Sequence, residues 1–285
     1  MNKNQIVYYS IGGLTVCMDA PAYEDAPTLA PFRTAPCAPD EICRVRVVPA
    51  PCGPSGKPTF FDTDKQRAYY RECGTLTRVF HDDDGCTVLM TDRETDGHHT
   101  ALLREDCLKS FGSAIAVKIM DLPRTFIRLG GVFLHASFID VGGEAILFTA
   151  QKQVGKSTQA ALWQQYRGAE IINGDRALIR RLNGVFCACG SPYCGTSGIC
   201  RNRILPLKAV VILSRGQENR ASRASVRQAL ASLLDGCTYD VWDADVMDRV
   251  TDLCSSIITE VPFYTLSCTP DEGAVRALEE VLSHE

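Results

Sequence analysis

Three short runs carry residues whose types and spacing could do chemistry. "VGKST", from Val154 to Thr158, sets a glycine, a lysine and two hydroxyls in succession. "INGDR" places Asp175 nineteen residues beyond Lys156, and "VFLHASFI" sets His135 on an apolar run before both. A glycine-lysine-serine run between an apolar strand and a helix suits phosphate. N–H groups at the helix start bind phosphate oxygens, Lys156 brings a mobile positive charge, and Ser157 offers an oxygen to Mg²⁺. Ala150, Lys152, Val154, Gly155 and Thr158 complete the expected cradle. The competing reading is an ordinary strand-to-helix turn whose Lys156 and Ser157 are solvated.

The loop departs from the G-x-x-x-x-G-K-[ST] pattern. Ala150 stands at the first glycine, and "QKQV" after it has none. Glycine serves there because the chain must come close to the phosphates, often with φ > 0. Lys152 supplies a further phosphate contact in compensation.

Asp175, at a strand end, can ligate Mg²⁺ or take the proton of an attacking hydroxyl. A plain turn role competes, because Asn173 and Gly174 precede it. His135 reads either as a hydrogen-bonded core residue or as part of the active-site wall. "CACGSPYCGTSGICRNR", Cys187 to Arg203, reads as a substrate-side loop. It holds Ser191 and Gly195, with Arg201 and Arg203 suited to a phosphate or an acidic acceptor. Its thiols Cys187, Cys189, Cys194 and Cys200 are separated by one, four and five residues, which is not the paired spacing of a structural zinc site.

The elements that must position these groups follow a strand, loop, helix, strand order. "VFLHASFIDV" and "EAILFTA" are strands joined at a Gly-Gly, "STQAALWQQY" is a helix, and "AEIINGDRALI" is one further strand. "PLKAVVILS" and "PFYTLSC" are strands, while "SVRQALASLLDG", "DADVMDRVTDLCSSIITEV" and "DEGAVRALEEVLSHE" are helices. Ahead of them, "SFGSAIAVKIMDLPRTFIRL" predicts two helices broken near Pro123. The first hundred residues are β-rich, with "QIVYYSI", "LTVCM", "EICRVRVV", "LTRVF" and "CTVLMT" as strands between Pro and Gly clusters. The acidic run Asp82 to Asp84 with Gly85 reads as a hairpin turn. The expected architecture is an α/β (α+β) core of mixed sheet flanked by helices over 121–285, after a smaller β-rich domain over 1–120.

A chain of 285 residues with 45% hydrophobic and 22% charged residues can bury a substantial core. Net charge of −4 argues against a broad nucleic-acid surface. No apolar run is long enough for a secretory leader or a membrane span, so a cytoplasmic place and no membrane partner are expected. Most of the fourteen cysteines scattered over this length read as reduced, buried small hydrophobes.

Taken together, His135, the "GKST" loop, "INGDR" and the "GSPYCGTSG" loop resemble the C-terminal catalytic domain of HPr kinase/phosphorylase. That group of P-loop kinases shares a core with ATP-dependent phosphoenolpyruvate carboxykinase. The likeness covers roughly residues 125–285 and leaves the N-terminal part aside. It implies ATP with Mg²⁺ as cofactors and transfer of the γ-phosphate to a serine or other hydroxyl of a protein, peptide or small molecule, and it admits a homo-oligomer. Lys156 would hold the β and γ phosphates and Ser157 the metal. Asp175 would be base or metal ligand, with His135 the histidine preceding the loop. The chain departs where the family has a second aspartate, here Gly174, and an acidic residue, here Thr158. The alternative function is a kinase-like fold that recognises a partner without turnover.

Overall fold

The computed structural model describes residues 4–21, 27–64, 66–81, 87–93, 97–110, 113–151 and 154–283. Lys152 and the acidic turn at 82–85, both singled out above, lie outside them. The chain divides into two compact units, 1–122 and 123–285.

The first unit is built on one nine-stranded sheet. Its strands are β1 (Asn4–Ile11), β2 (Leu14–Pro21), β3 (Arg33–Thr34), β4 (Glu41–Val47), β5 (Phe60–Asp62), β6 (Arg67–Glu72), β7 (Thr75–His81), β8 (Thr87–Arg93) and β9 (His98–Leu103). Their order is β3-β1-β2-β4-β9-β8-β7-β6-β5. β1 alternates buried and half-buried side chains from Val7 to Ile11, the pattern of a strand with one covered face, whereas β2 is buried along most of its length. Helix α1 (Ser113–Met120) closes the unit, and Asp121 after it takes φ of 42° and pairs with Arg78.

The second unit opens with α2 (Leu122–Arg128), which begins with Leu122 and Pro123 because a proline N–H is not needed in a first turn. Then come β10 (Gly131–Val141), β11 (Glu144–Thr149), α3 (Lys156–Arg167), β12 (Glu170–Asn173), β13 (Arg176–Leu182) and β14 (Val185–Cys189). β15 (Ile204–Arg215), β16 (Arg220–Arg223), α4 (Val226–Gly236), α5 (Ala244–Glu260), β17 (Phe263–Cys268) and α6 (Glu272–Leu282) complete it. The sheet is mixed: β11, β15 and β17 run parallel, and the other pairs are antiparallel.

Alternation along the strands sorts side chains into two layers. Leu134, Ala136, Phe138 and Leu147 face a cluster with Leu233 of α4 and Val250 and Ile257 of α5. Ile139, Ile146 and Phe148 face the opposite cluster with Trp163 of α3 and Leu278 of α6. The α/β expectation of a mixed sheet between helices is what the second unit has. The described cysteines are all free thiols, and burial pushes Cys189 up to about 12, as for a small hydrophobe.

One element differs from expectation. "AEIINGDRALI" is two strands, β12 and β13, lying along the same edge of β10 with Gly174 and Asp175 between them. The buried Asn173 side chain causes the break: its Oδ1 accepts from the N–H groups of Asp175 and Arg176, both at 2.8 Å. Those donors are thereby drawn from the ladder into a local turn.

The Trp163 ring, 2% exposed, packs 6.4 Å from Phe148 at the centre of the α3 layer. Trp163→Ala is expected to destabilise the second unit by about 3–5 kcal/mol, read by chemical denaturation.

Candidate functional site

β10 takes a second partner partway along: on one edge residues up to His135 pair with β13 and Phe138 to Asp140 with β12, while on the other edge β11 joins from Ala136 opposite Thr149. The register along the first edge is unbroken from His135 opposite Arg176 to Phe138 opposite Asn173, so Asp175 lies within it, and a bulge follows only between Phe138 and Ile139. The Asp175 carbonyl accepts from Ala136 N–H at 2.9 Å. His135 Nδ1 lies 3.0 Å from that same carbonyl and 3.3 Å from Asp175 Oδ1. A carbonyl only accepts, so Nδ1 carries the proton and the lone pair of the neutral ring is on Nε2.

The loop after β11 brings the lysine to this place. Gly155 caps α3 with φ of 122°, and no side chain caps the helix start. The first N–H groups of α3 are thus not taken by a side-chain cap and can receive an anion. Among the described residues of the loop only Gly155 has positive φ, so Ala150, Gln151 and Val154 follow the path without strain. Half-buried Lys156 donates from Nζ to the Ala150 carbonyl at 3.4 Å, and exposed Ser157 and Thr158 follow it on the first turn. Ala150 and Val154 pack against the α3 layer.

Electrostatics tie these groups together. Asp175 is held below the ordinary carboxylate range, first by the hydrogen bond from His135, against burial, and with the charges of His135 and Arg176. Arg176 Nε stands 3.4 Å from Asp175 Oδ2 and its guanidinium reaches Thr238. Burial lowers Lys156, while the charge of Asp175 raises it. Asp175 is therefore ionised at neutral pH beside a lysine.

The Cys187–Arg203 segment contributes differently from expectation. Gly195 lies on Asp175: a Cβ there would come within 2.9 Å of the carboxyl carbon. Ser191 is a brace rather than an acceptor-facing residue. It is buried, donates to the Arg176 carbonyl at 2.6 Å and accepts Asn173 Nδ2 on its own carbonyl at 2.9 Å. Arg201 and Arg203 do not join the Lys156–Asp175 cluster. Arg201 pairs with Glu170 at 3.2 Å and Arg203 with Asp140 at 2.9 Å, at the far end of β12. Asn173, missed as a site residue, was visible only as a turn former.

The donor set suits Mg²⁺ with phosphate rather than a metal held by protein alone. Among the described residues no three His, Cys, Asp or Glu side chains converge on one point. Ser157 and Asp175 offer one hydroxyl and one carboxylate, and Mg²⁺ typically takes a few protein oxygens and completes its shell with phosphate and water. Beside the loop, a cavity of about 690 Å³ opens at the carboxyl ends of β11, β15 and β17, where open α/β sheets bind ligands. Thr149, Ala150, Arg215, Asp235 and Thr265 are among the residues lining it.

No family model and no curated protein matches the chain. Among solved structures, the Hpr(Ser) kinase/phosphatase from Coxiella burnetii is similar at a TM-score of 0.31 and 12% identity, over 53% of this chain and 93% of that one. A likeness at this level carries no weight for function, so the reading below rests on the site. No described helix is long and apolar enough to cross a membrane.

Two outcomes follow from the geometry. Gly155→Ala forces an L side chain into the positive-φ region and should cost about 1–3 kcal/mol by chemical denaturation. In His135→Gln, Asp175 should titrate at higher pH, followed by carboxyl NMR. A depressed carboxylate stabilises the fold above its unfolded pKa and loses that contribution as pH falls through its folded pKa. The variant should therefore be less stable at neutral pH, and its further loss on acidification, which starts at the same unfolded pKa, should be smaller and complete at a higher pH; an unmoved Asp175 titration would discard His135 as its partner.

Proposed function

We propose that the chain is an ATP-dependent kinase that transfers a γ-phosphate to a hydroxyl of a protein, peptide or small molecule. One observation carries the reading: a lysine on the first turn of a helix without a side-chain cap, electrostatically linked to an ionised aspartate that a histidine orients. Phosphoryl transfer asks for positioning and charge neutralisation, and these residues supply both.

In this reading the helix N–H groups and Lys156 hold the phosphate oxygens, and Ser157 with Asp175 would hold Mg²⁺, which supplies charge neutralisation between phosphates. Asp175 takes the proton of the acceptor hydroxyl as its oxygen attacks. His135, by donating to Asp175, keeps that carboxylate ionised and aimed. Arg176 holds the other carboxylate oxygen, so the group has little freedom to turn away. A single aspartate serves forward transfer, since Gly174 stands beside it where the reverse reaction with inorganic phosphate would ask for a second carboxylate.

The rival reading, a partner-recognition module without turnover, has one observation on its side. Lys156 donates to its own loop, which spends part of its hydrogen-bonding capacity on the resting state.

Transfer from labelled ATP to hydroxyl-bearing peptides tests the proposal. Lys156→Ala should lower turnover about a hundredfold or more, the scale of losing one stabilising donor. Asp175→Asn should lower it by about 10²–10⁴, the scale of a general base. Equal transfer by wild type and both variants would sink the kinase reading, and calorimetry showing no ATP binding would favour the module.

A further inference from the structure

The segment from Arg215 to Arg227, "RGQENRASRASVR", carries four arginines against one glutamate in a chain whose net charge is −4. Arg215, Arg220, Arg223 and Arg227 are all exposed. The nearby acid Asp271 is engaged: it accepts from Asn219 at 2.9 Å, from Thr269 at 2.6 Å and from the Gly273 N–H. These neutral donors keep Asp271 ionised, so it counts with Glu218 against the four arginines, and the local field is still positive and opposite in sign to the whole molecule.

This patch sits on a sheet edge. β16 pairs with β17 on one side and ends the sheet on the other, among the described residues. An edge strand presents N–H and C=O groups in a row, which is the chemistry that recognises extended polypeptide. Successive side chains divide between faces. Ala221 packs into the α3 and α6 layer, with Arg223 over the Tyr264 ring at 5.4 Å. Ser222 turns the other way and meets Thr265 at 3.0 Å, and Thr265 lines the cavity beside the phosphate loop. Ala150, on the cavity wall, is the residue whose carbonyl receives Lys156.

We infer that β16 docks an acidic, hydroxyl-bearing peptide segment as an added strand, with its carboxylates on the arginines and its hydroxyl residue carried into the adjoining cavity. The inference rests on the kinase reading only for what the docked hydroxyl does next. Main-chain pairing supplies affinity independent of sequence, and the arginines supply the preference for Asp and Glu. A free nucleotide has anionic charge but no main chain to pair with the edge.

The experiment pans a displayed library of random dodecapeptides against the full chain without ATP. Binders should be enriched in Asp and Glu. They should bind the Arg220→Glu, Arg227→Glu double variant at least about tenfold more weakly, a loss of about 1.4 kcal/mol. On binding to wild type, hydrogen exchange should slow at the amides of residues 220–223. Enrichment of basic or apolar peptides, unchanged affinity in the double variant, or no protection at 220–223 would overturn the inference. So would displacement of the peptide by ATP or by single-stranded DNA at comparable affinity. Lys156→Ala separates the two readings: it should lower transfer about a hundredfold or more and leave peptide affinity intact. Docking without transfer in wild type would defeat the kinase and spare the edge, while transfer without docking at 220–223 would do the reverse.

Discussion

The buried carboxamide of Asn173 is the interaction on which the site depends. Its oxygen accepts two consecutive main-chain donors and its nitrogen gives a hydrogen bond to Ser191 O. Buried donors must be paired, and a side chain that pairs two of them replaces part of a strand ladder. The strand opposite β10 can therefore stop for two residues and resume. Asp175 occupies the gap, its carbonyl tied to Ala136 and its carboxylate beside His135. Because the network is enclosed, each member fixes the others more firmly than it would in water.

Charge balance then settles what the pocket can accept. A lone carboxylate repels an anionic ligand, yet here one aspartate is answered by Lys156, Arg176 and the positive end of α3, while His135 donates a hydrogen bond to it. The excess of positive groups makes the place hospitable to an anion. Burial of Lys156 works in the same direction, since a desolvated ammonium interacts more strongly with whatever displaces water from it.

The parts legible in the sequence were those written in apolar pattern. β10, β11, β15 and β17 announce themselves as short, nearly continuous apolar runs, and the amphipathic helices by apolar residues at every third to fourth position. β14 and β16 escaped that test: "VFCAC" has no clear alternation, and "RASR" is polar because it is a short edge. The break after Asn173 was invisible because it arises from side-chain-to-backbone bonds, and a period does not encode these. Arg201 and Arg203 were placed at the acceptor on charge alone. Their acidic partners, Asp140 and Glu170, lie on neighbouring strands and are far away along the chain. The absent glycines looked like a steric penalty, but among described loop residues only the retained Gly155 adopts positive φ.

The long strand β10 has a consequence beyond its role as scaffold. Leu134 and Ala136 belong to the α4–α5 layer, Ile139 belongs to the α3–α6 layer, and His135 stands among them on the same rigid segment. Packing in the α4–α5 layer reaches the imidazole through its two covalent neighbours, and packing in the α3–α6 layer through Ile139, four residues further along the same strand. The two layers therefore cannot drift apart in sequence as independent cores do. A volume change accepted behind the sheet must be balanced by one in front, or the histidine leaves its aspartate.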